Sequence, residues 1–318
     1  MKLSKYVLLM AVDQSIGKEC YYLPHPSTSR VQNESISLRN LASPHTPCKI
    51  PRVGMRITIL GSGSAGNCTL IETDKTKLLV DAGLSGRQIS QRLALISRNL
   101  EEITGVVLTH EHSDHTRGLS VLCKSRPLPV YANRLTAEAI STDPDFQDRV
   151  RISWRLFSTG GSFEVGDLQV ESFTVPHDAY DPVGYVIRHP NSGLAIGVLT
   201  DLGHATKLVT ERMRAMDVLI VESNHDLKLL QEDAIRPWSL KQRIMSRHGH
   251  LSNDAAATLT SEVASDKLRH VFLAHLSQDC NRPELALQTV GNQLQKIGAR
   301  HIKVTVTSQD KPTATLTL

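Results

Sequence analysis

Six consecutive residues, His110-Glu111-His112-Ser113-Asp114-His115, constrain this chain more than any other stretch. They pack three imidazoles and two carboxylates directly after a short apolar run, Val106-Val107-Leu108. Imidazole and carboxylate donors together suit zinc and its first-row neighbours, and their spacing divides into two groups of ligands, which points to two metal ions rather than one. If Gly105 to Thr109 is a strand, its two-residue period sends His110 and His112 off the end toward the same side, within reach of one ion. A turn into helix near Ser113 would let Asp114 and His115 face a second position. The single-helix zinc-protease spacing, His-Glu-x-x-His, is absent, because His112 and His115 stand three apart instead of four.

At 318 residues and 40% hydrophobic, the chain can bury a full core as one large domain or two small ones. No apolar run approaches the roughly 18 residues of a membrane span, so no membrane partner is expected. The cysteines, five in number, form no Cys-x-x-Cys pair, which favours free thiols in a reducing, cytoplasmic compartment. The net charge of +4 does not argue for nucleic acid by itself, because residues 1–54 carry all of it, with seven Lys/Arg against three Asp/Glu. Those residues also lack sustained periodicity and close on Pro44, Pro47 and Pro51, which reads as a poorly ordered extension. Lys2 and Lys5 ahead of Tyr6 to Val12 resemble an export signal, but Asp13 ends the run early and no small-x-small cleavage site follows. Met55 opens a strand pattern, so the folded domain is expected over residues 55–318, with Met55 itself a candidate start of translation.

From Met55 onward, strands are expected at Arg56 to Leu60, Cys68 to Glu72, Lys77 to Val80, Val106 to Thr109, Pro129 to Ala132, Phe163 to Val165, Leu168 to Val175, Gly184 to Arg188 and Leu194 to Leu199. Helices are expected at Gly86 to Ile96 and Leu135 to Ile140. The last third reads as helix-rich, with strands only at Val271 to Ala274 and His301 to Val306. Strands interspersed with helices that cover the outside imply an α/β sandwich of two sheets between helical layers. The loop Gly61-Ser62-Gly63-Ser64-Ala65-Gly66-Asn67 mimics a dinucleotide fingerprint, but Asn67 leads into another strand and not a helix, so the glycines are expected to let backbone pass close to a metal centre or a phosphate.

A two-metal site needs more donors than one motif supplies. His177 follows Phe173-Thr174-Val175-Pro176, Asp201 follows Ile196 to Thr200, and His275 follows Val271-Phe272-Leu273-Ala274. Each ends an apolar strand as His110 does, and sheets commonly deliver functional groups at one edge.

These residues together resemble the metallo-β-lactamase superfamily, over residues 55 to about 300. The resemblance implies an αβ/βα sandwich, two mixed β-sheets between helical layers. It also implies that His110, His112 and His177 hold one divalent ion, that Asp114, His115 and His275 hold the other, and that Asp201 bridges them. Asp81, ending Leu78-Leu79-Val80, resembles the early aspartate that supports such sites by hydrogen bonding. His112 stands where the superfamily's di-iron oxygen reductases carry glutamate, which implies hydrolysis and not redox chemistry. Within the superfamily the chain is most similar to the YycJ (WalJ) branch. The carrying segments are the glycine loop, Thr109 to His115, His177-Asp178-Ala179 with Pro182 to Tyr185, Glu222 to Asp226, Gly249 to Asn253, and Ala274 to Ser277. The branch implies a 5′ to 3′ exonuclease on double-stranded DNA, implicated in mismatch repair, with zinc as the favoured metal and manganese or iron as alternatives.

Nuclease chemistry has content beyond the resemblance. Two metals lower the pKa of a bridging water toward neutrality, giving a hydroxide nucleophile, and neutralise charge on the transition state. Asp114 is the natural group to orient that water, and His250, just before a helix start at Ser252-Asn253-Asp254, is placed to protonate the leaving oxygen or hold a phosphate. Arg236, Lys241, Arg243 and Arg247, with Trp238 among them, lie on an expected helix, and the spacing of four puts Arg243 and Arg247 on one face toward an anionic substrate. His225 is a further substrate-side candidate, and His204 a neighbour of the metals, not a ligand. The rival readings are a small-molecule hydrolase of the same fold, acting on thioesters, lactams or lactones, and a non-catalytic metal-bound interaction protein.

Overall fold

The computed structural model describes residues 54–318 apart from residue 148, together with two short strands, Tyr6–Leu9 (β1) and Tyr21–Pro24 (β2), which pair antiparallel. The rest of the expected extension lies outside the described residues. The chain divides into two units, Met1–Ile50 and Pro51–Leu318, and the second carries everything that follows.

Its strands run Arg56–Gly61 (β3), Cys68–Glu72 (β4), Lys77–Val80 (β5), Gly105–Val107 (β6), Pro129–Asn133 (β7) and Ser153–Phe157 (β8) in a first sheet. Ser162–Val165 (β9), Leu168–Thr174 (β10), Val183–His189 (β11), Leu194–Leu199 (β12), Val218–Glu222 (β13), His270–Ala274 (β14) and Lys303–Val306 (β15) form a second. Leu316–Thr317 (β16) returns to the first sheet beside β3, so that each sheet has seven strands. Both are half antiparallel and half parallel: β3 to β5 are hairpin partners while β5 to β8 run parallel, and β9 to β12 alternate while β12 to β15 run parallel. Parallel neighbours need crossovers, and the helices sit in them. Gly86–Leu95 (α1), Ser113–Thr116 (α2), Leu119–Ser125 (α3) and Arg134–Thr142 (α4) serve the first sheet. Lys207–Met213 (α5), Leu227–Glu232 (α6), Trp238–Ile244 (α7), Asn253–Val263 (α8) and Pro283–Lys296 (α9) serve the second.

The layering follows from strict alternation along buried strands. Leu78 and Val80 join a central core between the sheets while Leu79 faces the α1 and α3 side. Val218 and Ile220 likewise face the central core, whereas Leu219 and Val221 pack with α5, α8 and α9 residues such as Val209, Leu259 and Val290. The result is the expected sandwich, helices outside two mixed sheets. Helix starts follow their caps: Ser85 and Gln88 close a capping box on α1, and Asn133, Thr206, Asp226 and Ser252 each accept from a first-turn amide of α4, α5, α6 and α8.

Within the second unit, three strands escaped the sequence reading. Val218-Leu219-Ile220-Val221-Glu222 is buried on both faces, and so short an apolar run has no period to tell strand from helix. Ser153–Phe157 is an edge strand with an exposed Arg155, and Leu316–Thr317 is only two residues long. The first omission has a functional cost, described below.

Candidate metal centre

The parallel strands all point their C-terminal ends at one edge. β10 is antiparallel to β11, which is antiparallel to β12, so β10 also ends there. Asp81 follows β5, His110 the β6 segment, His177 β10, Asp201 β12 and His275 β14, as expected for open α/β sheets. The six-residue motif behaves as its spacing predicts: His112 sits just before α2, and that single helical turn swings Asp114 and His115 round to a second position.

All seven expected donors converge. The ligand-capable atoms of His110, His112 and His177 lie within 4.8 Å of one another, as do those of Asp114, His115 and His275. Those of His110, His115 and Asp201 form a third such group, so Asp201 stands between the other two. The imidazoles are aimed by their far nitrogens. His115 Nδ1 bonds Asp81 Oδ2 at 2.8 Å, which turns Nε2 toward Asp201 Oδ2 at 2.9 Å. Asp81 is itself fixed by the Thr109 amide at 2.8 Å and the Thr109 hydroxyl at 2.9 Å. His177 Nδ1 faces the Gly249 carbonyl at 3.0 Å, and His110 Nδ1 the Thr109 hydroxyl at 3.0 Å.

This leaves His110 Nε2 and His177 Nε2 buried without a hydrogen bond, while Asp201 Oδ2 faces only His115 Nε2. Buried polar atoms are rarely left so, because each forfeits its hydration. Here the two unpartnered atoms are imidazole nitrogens converging beside a buried carboxylate, which is what a divalent cation compensates. The protonation states of His110 and His177 agree. Burial, then the charge on His115, holds His110 well below its ordinary value, and burial also lowers His177, so both present a lone pair. Burial raises Asp201, but His275 and His115 outweigh it and keep the carboxyl well below the usual range. Burial likewise opposes charge on His115, yet Asp201, Asp81 and Asp114 raise it well above normal, and the same carboxylates would draw a metal cation.

Three of these residues are held in left-handed backbone: Asp81 at φ 61°, Asp201 at φ 55° and His275 at φ 54°. Each is the first or second residue after its strand, and each costs about 1–3 kcal/mol that the surrounding structure must offset. The glycine loop contributes by close approach, as expected. Asn67 accepts the Gly83 amide and donates its own amide to the Asp114 carbonyl at 2.8 Å, while a Cβ at Gly83 would stand 1.6 Å from that carbonyl oxygen. Gly83→Ala is therefore expected to cost roughly 2–4 kcal/mol and to displace Asp114. Urea unfolding checks this, and a wild-type midpoint with wild-type activity would contradict it.

Sequence reasoning gave Glu222 no role in the site, although it opens one of the segments that carry the resemblance. Fully buried at the end of β13, its Oε1 accepts from His275 Nδ1 at 2.8 Å and His250 Nδ1 at 2.7 Å, and its Oε2 from the Leu202 and Leu251 amides at 2.9 and 3.0 Å. Burial raises its pKa, but His250 and His275 outweigh that and bring it to about 2. The signal was the one that found Asp201 and His275, a polar residue ending an apolar strand, and it was lost with the strand.

The centre floors a cavity of about 320 Å³ whose wall includes His250, Arg243, Leu240, Ile244 and Ser277. His250 stands in the wall, its Nδ1 3.5 Å from Asp201 Oδ1. The basic stretch does not form the expected face. The α7 helix ends at Ile244, so Arg243 and Arg247 share no helical face. Arg243 is paired with Asp178 at 2.7 Å at the cavity wall, while Arg247 turns to His204 Nε2 at 3.1 Å. Lys241 is buried and donates to the Gln231 and Asp233 carbonyls, and Arg236 pairs with Asp233 and Asp279. His225 is 2% exposed, and burial lowers its pKa to about 4, so it lies behind the wall instead of facing substrate.

A family profile described as "Beta-lactamase superfamily domain" matches residues 76–275. Among solved structures, the metallo-β-lactamase fold protein YhfI from Bacillus subtilis superposes with a TM-score of 0.64 at 17% identity, over 84% of this chain and all of that one. Human tRNase Z, short form, gives 0.56 at 19%, over 81% and 98%. Fold and site thus define a metal-dependent hydrolase of the metallo-β-lactamase fold. Exodeoxyribonuclease YycJ of Bacillus anthracis is 39% identical over 253 residues, spanning 77% of this chain and 91% of that protein, and exodeoxyribonuclease WalJ of Streptococcus pneumoniae is 38% identical over 243, spanning 76% and 89%. The chain belongs to the YycJ/WalJ family.

Proposed function

We propose that this chain is a 5′ to 3′ exonuclease on double-stranded DNA, working through two divalent ions. The observation that carries the reading is the convergence of five imidazoles and two carboxylates at one sheet edge with buried, unpartnered donor atoms. The YycJ and WalJ relatives are exodeoxyribonucleases, which supports DNA as the substrate class. No described helix is long and apolar enough to cross a membrane.

His110, His112 and His177 would hold one ion and Asp114, His115 and His275 the other, with Asp201 shared. The donor set contains no sulfur and suits zinc, manganese or iron. Such ions would supply Lewis acidity, lowering the pKa of a water and offsetting charge on the phosphate under attack. Asp114, with a side chain 21% exposed to the cavity, accepts a hydrogen bond from the attacking water and aims it. His250, whose pKa burial lowers but Glu222 more than restores, donates a proton to the leaving oxygen. Arg243, at the cavity wall, meets a backbone phosphate while keeping its pair with Asp178.

The test is a digestion of 5′-phosphorylated, end-labelled duplex DNA with added Mn²⁺ or Zn²⁺, beside thioester and chromogenic lactam substrates. Progressive loss from the 5′ end with the small esters and lactams intact is the expected result. Cleavage of thioester or lactam with intact DNA would sink the nuclease reading in favour of a small-molecule hydrolase. Chelator-treated protein given Zn²⁺ or Mn²⁺ at saturating concentration is further expected to gain roughly 5–10 °C in Tm. Unchanged melting with either ion would contradict the metal centre.

A further inference from the structure

We infer that Tyr180 is a stacking platform for a nucleobase of the substrate, set beside the metal centre. The inference rests on the nuclease reading above. Tyr180 lies three residues after His177, in the loop joining β10 to β11, and it is 71% exposed. Its loop is anything but loose. Glu111, inside the six-residue motif, accepts the Tyr180 amide at 2.9 Å, and the Ala179 amide bonds the His177 carbonyl at 3.0 Å. Asp178 is held by Arg243 of α7 at 2.7 Å. The Asp181 carbonyl accepts from Asn133 at 2.7 Å, and the Asp181 carboxylate from Thr159 at 2.6 Å.

Every residue from Asp178 to Asp181 is thus tied down by main chain or side chain, yet the ring of Tyr180 makes no hydrogen bond and stands in water. An aromatic side chain on a rigid loop has already lost the freedom that binding would otherwise cost it, and a base can stack on it at little further entropy. Trp238, the other strongly exposed aromatic among the described residues, is a poorer candidate. On α7 the cavity-facing residues are Leu240, Arg243 and Ile244, and Trp238 falls roughly half a turn away from them. The Asp178 to Arg243 pair links the Tyr180 loop to that cavity-facing side of α7, and Asp178, two residues before Tyr180, itself lines the cavity with Leu240 and Ile244.

The experiment compares wild type, Tyr180→Ala and Tyr180→Phe on labelled duplexes, intact or carrying one abasic nucleotide at each of the first positions from the 5′ end. Stacking predicts that Tyr180→Ala raises KM roughly tenfold with a smaller change in kcat, and that Tyr180→Phe stays near wild type. It also predicts that one abasic position raises the wild-type KM while leaving that of Tyr180→Ala unmoved. Equal KM for Ala and wild type on intact duplex would overturn the inference, as would equal abasic penalties in both. Loss of binding to another protein, with DNA kinetics untouched, would place Tyr180 in a protein interface and overturn it too. If wild type fails to degrade DNA at all, the nuclease reading fails first, and the two failures are thereby distinguished.

Discussion

Asp114→Ala is expected to lower DNA hydrolysis by roughly 10³-fold or more without unfolding the protein. Two losses combine: the carboxylate that aims the water, worth about 10²–10⁴-fold in comparable acid and base roles, and one donor to the second ion. Asp114 Oδ2 stands 3.3 Å from His275 Nε2 and 3.6 Å from His115 Nε2, and its side chain is the one of that second group most open to the cavity. The fold should survive because what Asp114 gives the scaffold is its carbonyl, bonded to the Asn67 amide, and alanine keeps that. His112→Ala is expected to fall in the same range, since it removes one of the three imidazoles of the first group. Turnover, metal content and circular dichroism measured together decide the matter. Retained nuclease activity in either variant, with native spectra, would end the assignment of this centre.

Glu222→Gln is expected to reduce kcat roughly 10²-fold and to weaken retention of one ion by about 10–100-fold, the usual scale for partners that orient metal-bound histidines. The amide keeps the size of the side chain. At Oε1 it offers a neutral acceptor to two imidazoles, or turns and offers a donor to both. Either way the charge that holds His275 and His250 together is gone, and the Leu202 and Leu251 amides lose half of their ionic partner. The informative pattern is a fall in both metal content and kcat, because Glu222 serves a proposed ligand and a proposed proton donor at once. Full metal content with unchanged kcat would show that the two histidines do not depend on it.

The legibility of this chain varies with the kind of signal. Strand ends were readable wherever a polar donor broke an apolar run long enough to declare itself, as at Asp81, His110, Asp201 and His275. Val218 to Val221 carries the same message, but it lies among helices and is buried on both faces, so alternation could not separate strand from helix and Glu222 went with it. The basic stretch failed for a different reason. Charge in sequence does not reveal its partner, and Asp178, Asp233, Asp279 and His204, up to 65 residues away, engage most of it. His225 shows the same limit, since burial is a property of what folds over a residue.

By itself, the sequence determined the chemistry on offer: the donor types, their grouping into two sets by the turn at Ser113, and the strand ends that carry them. Local geometry suffices there, because side-chain period and helix turn are fixed by the backbone. Only the tertiary structure decided which lone pairs are left free to bind. That depends on contacts between distant segments, Asp81 on His115, Gly249 on His177 and Glu222 on His275, and on the left-handed residues that packing alone can hold in place.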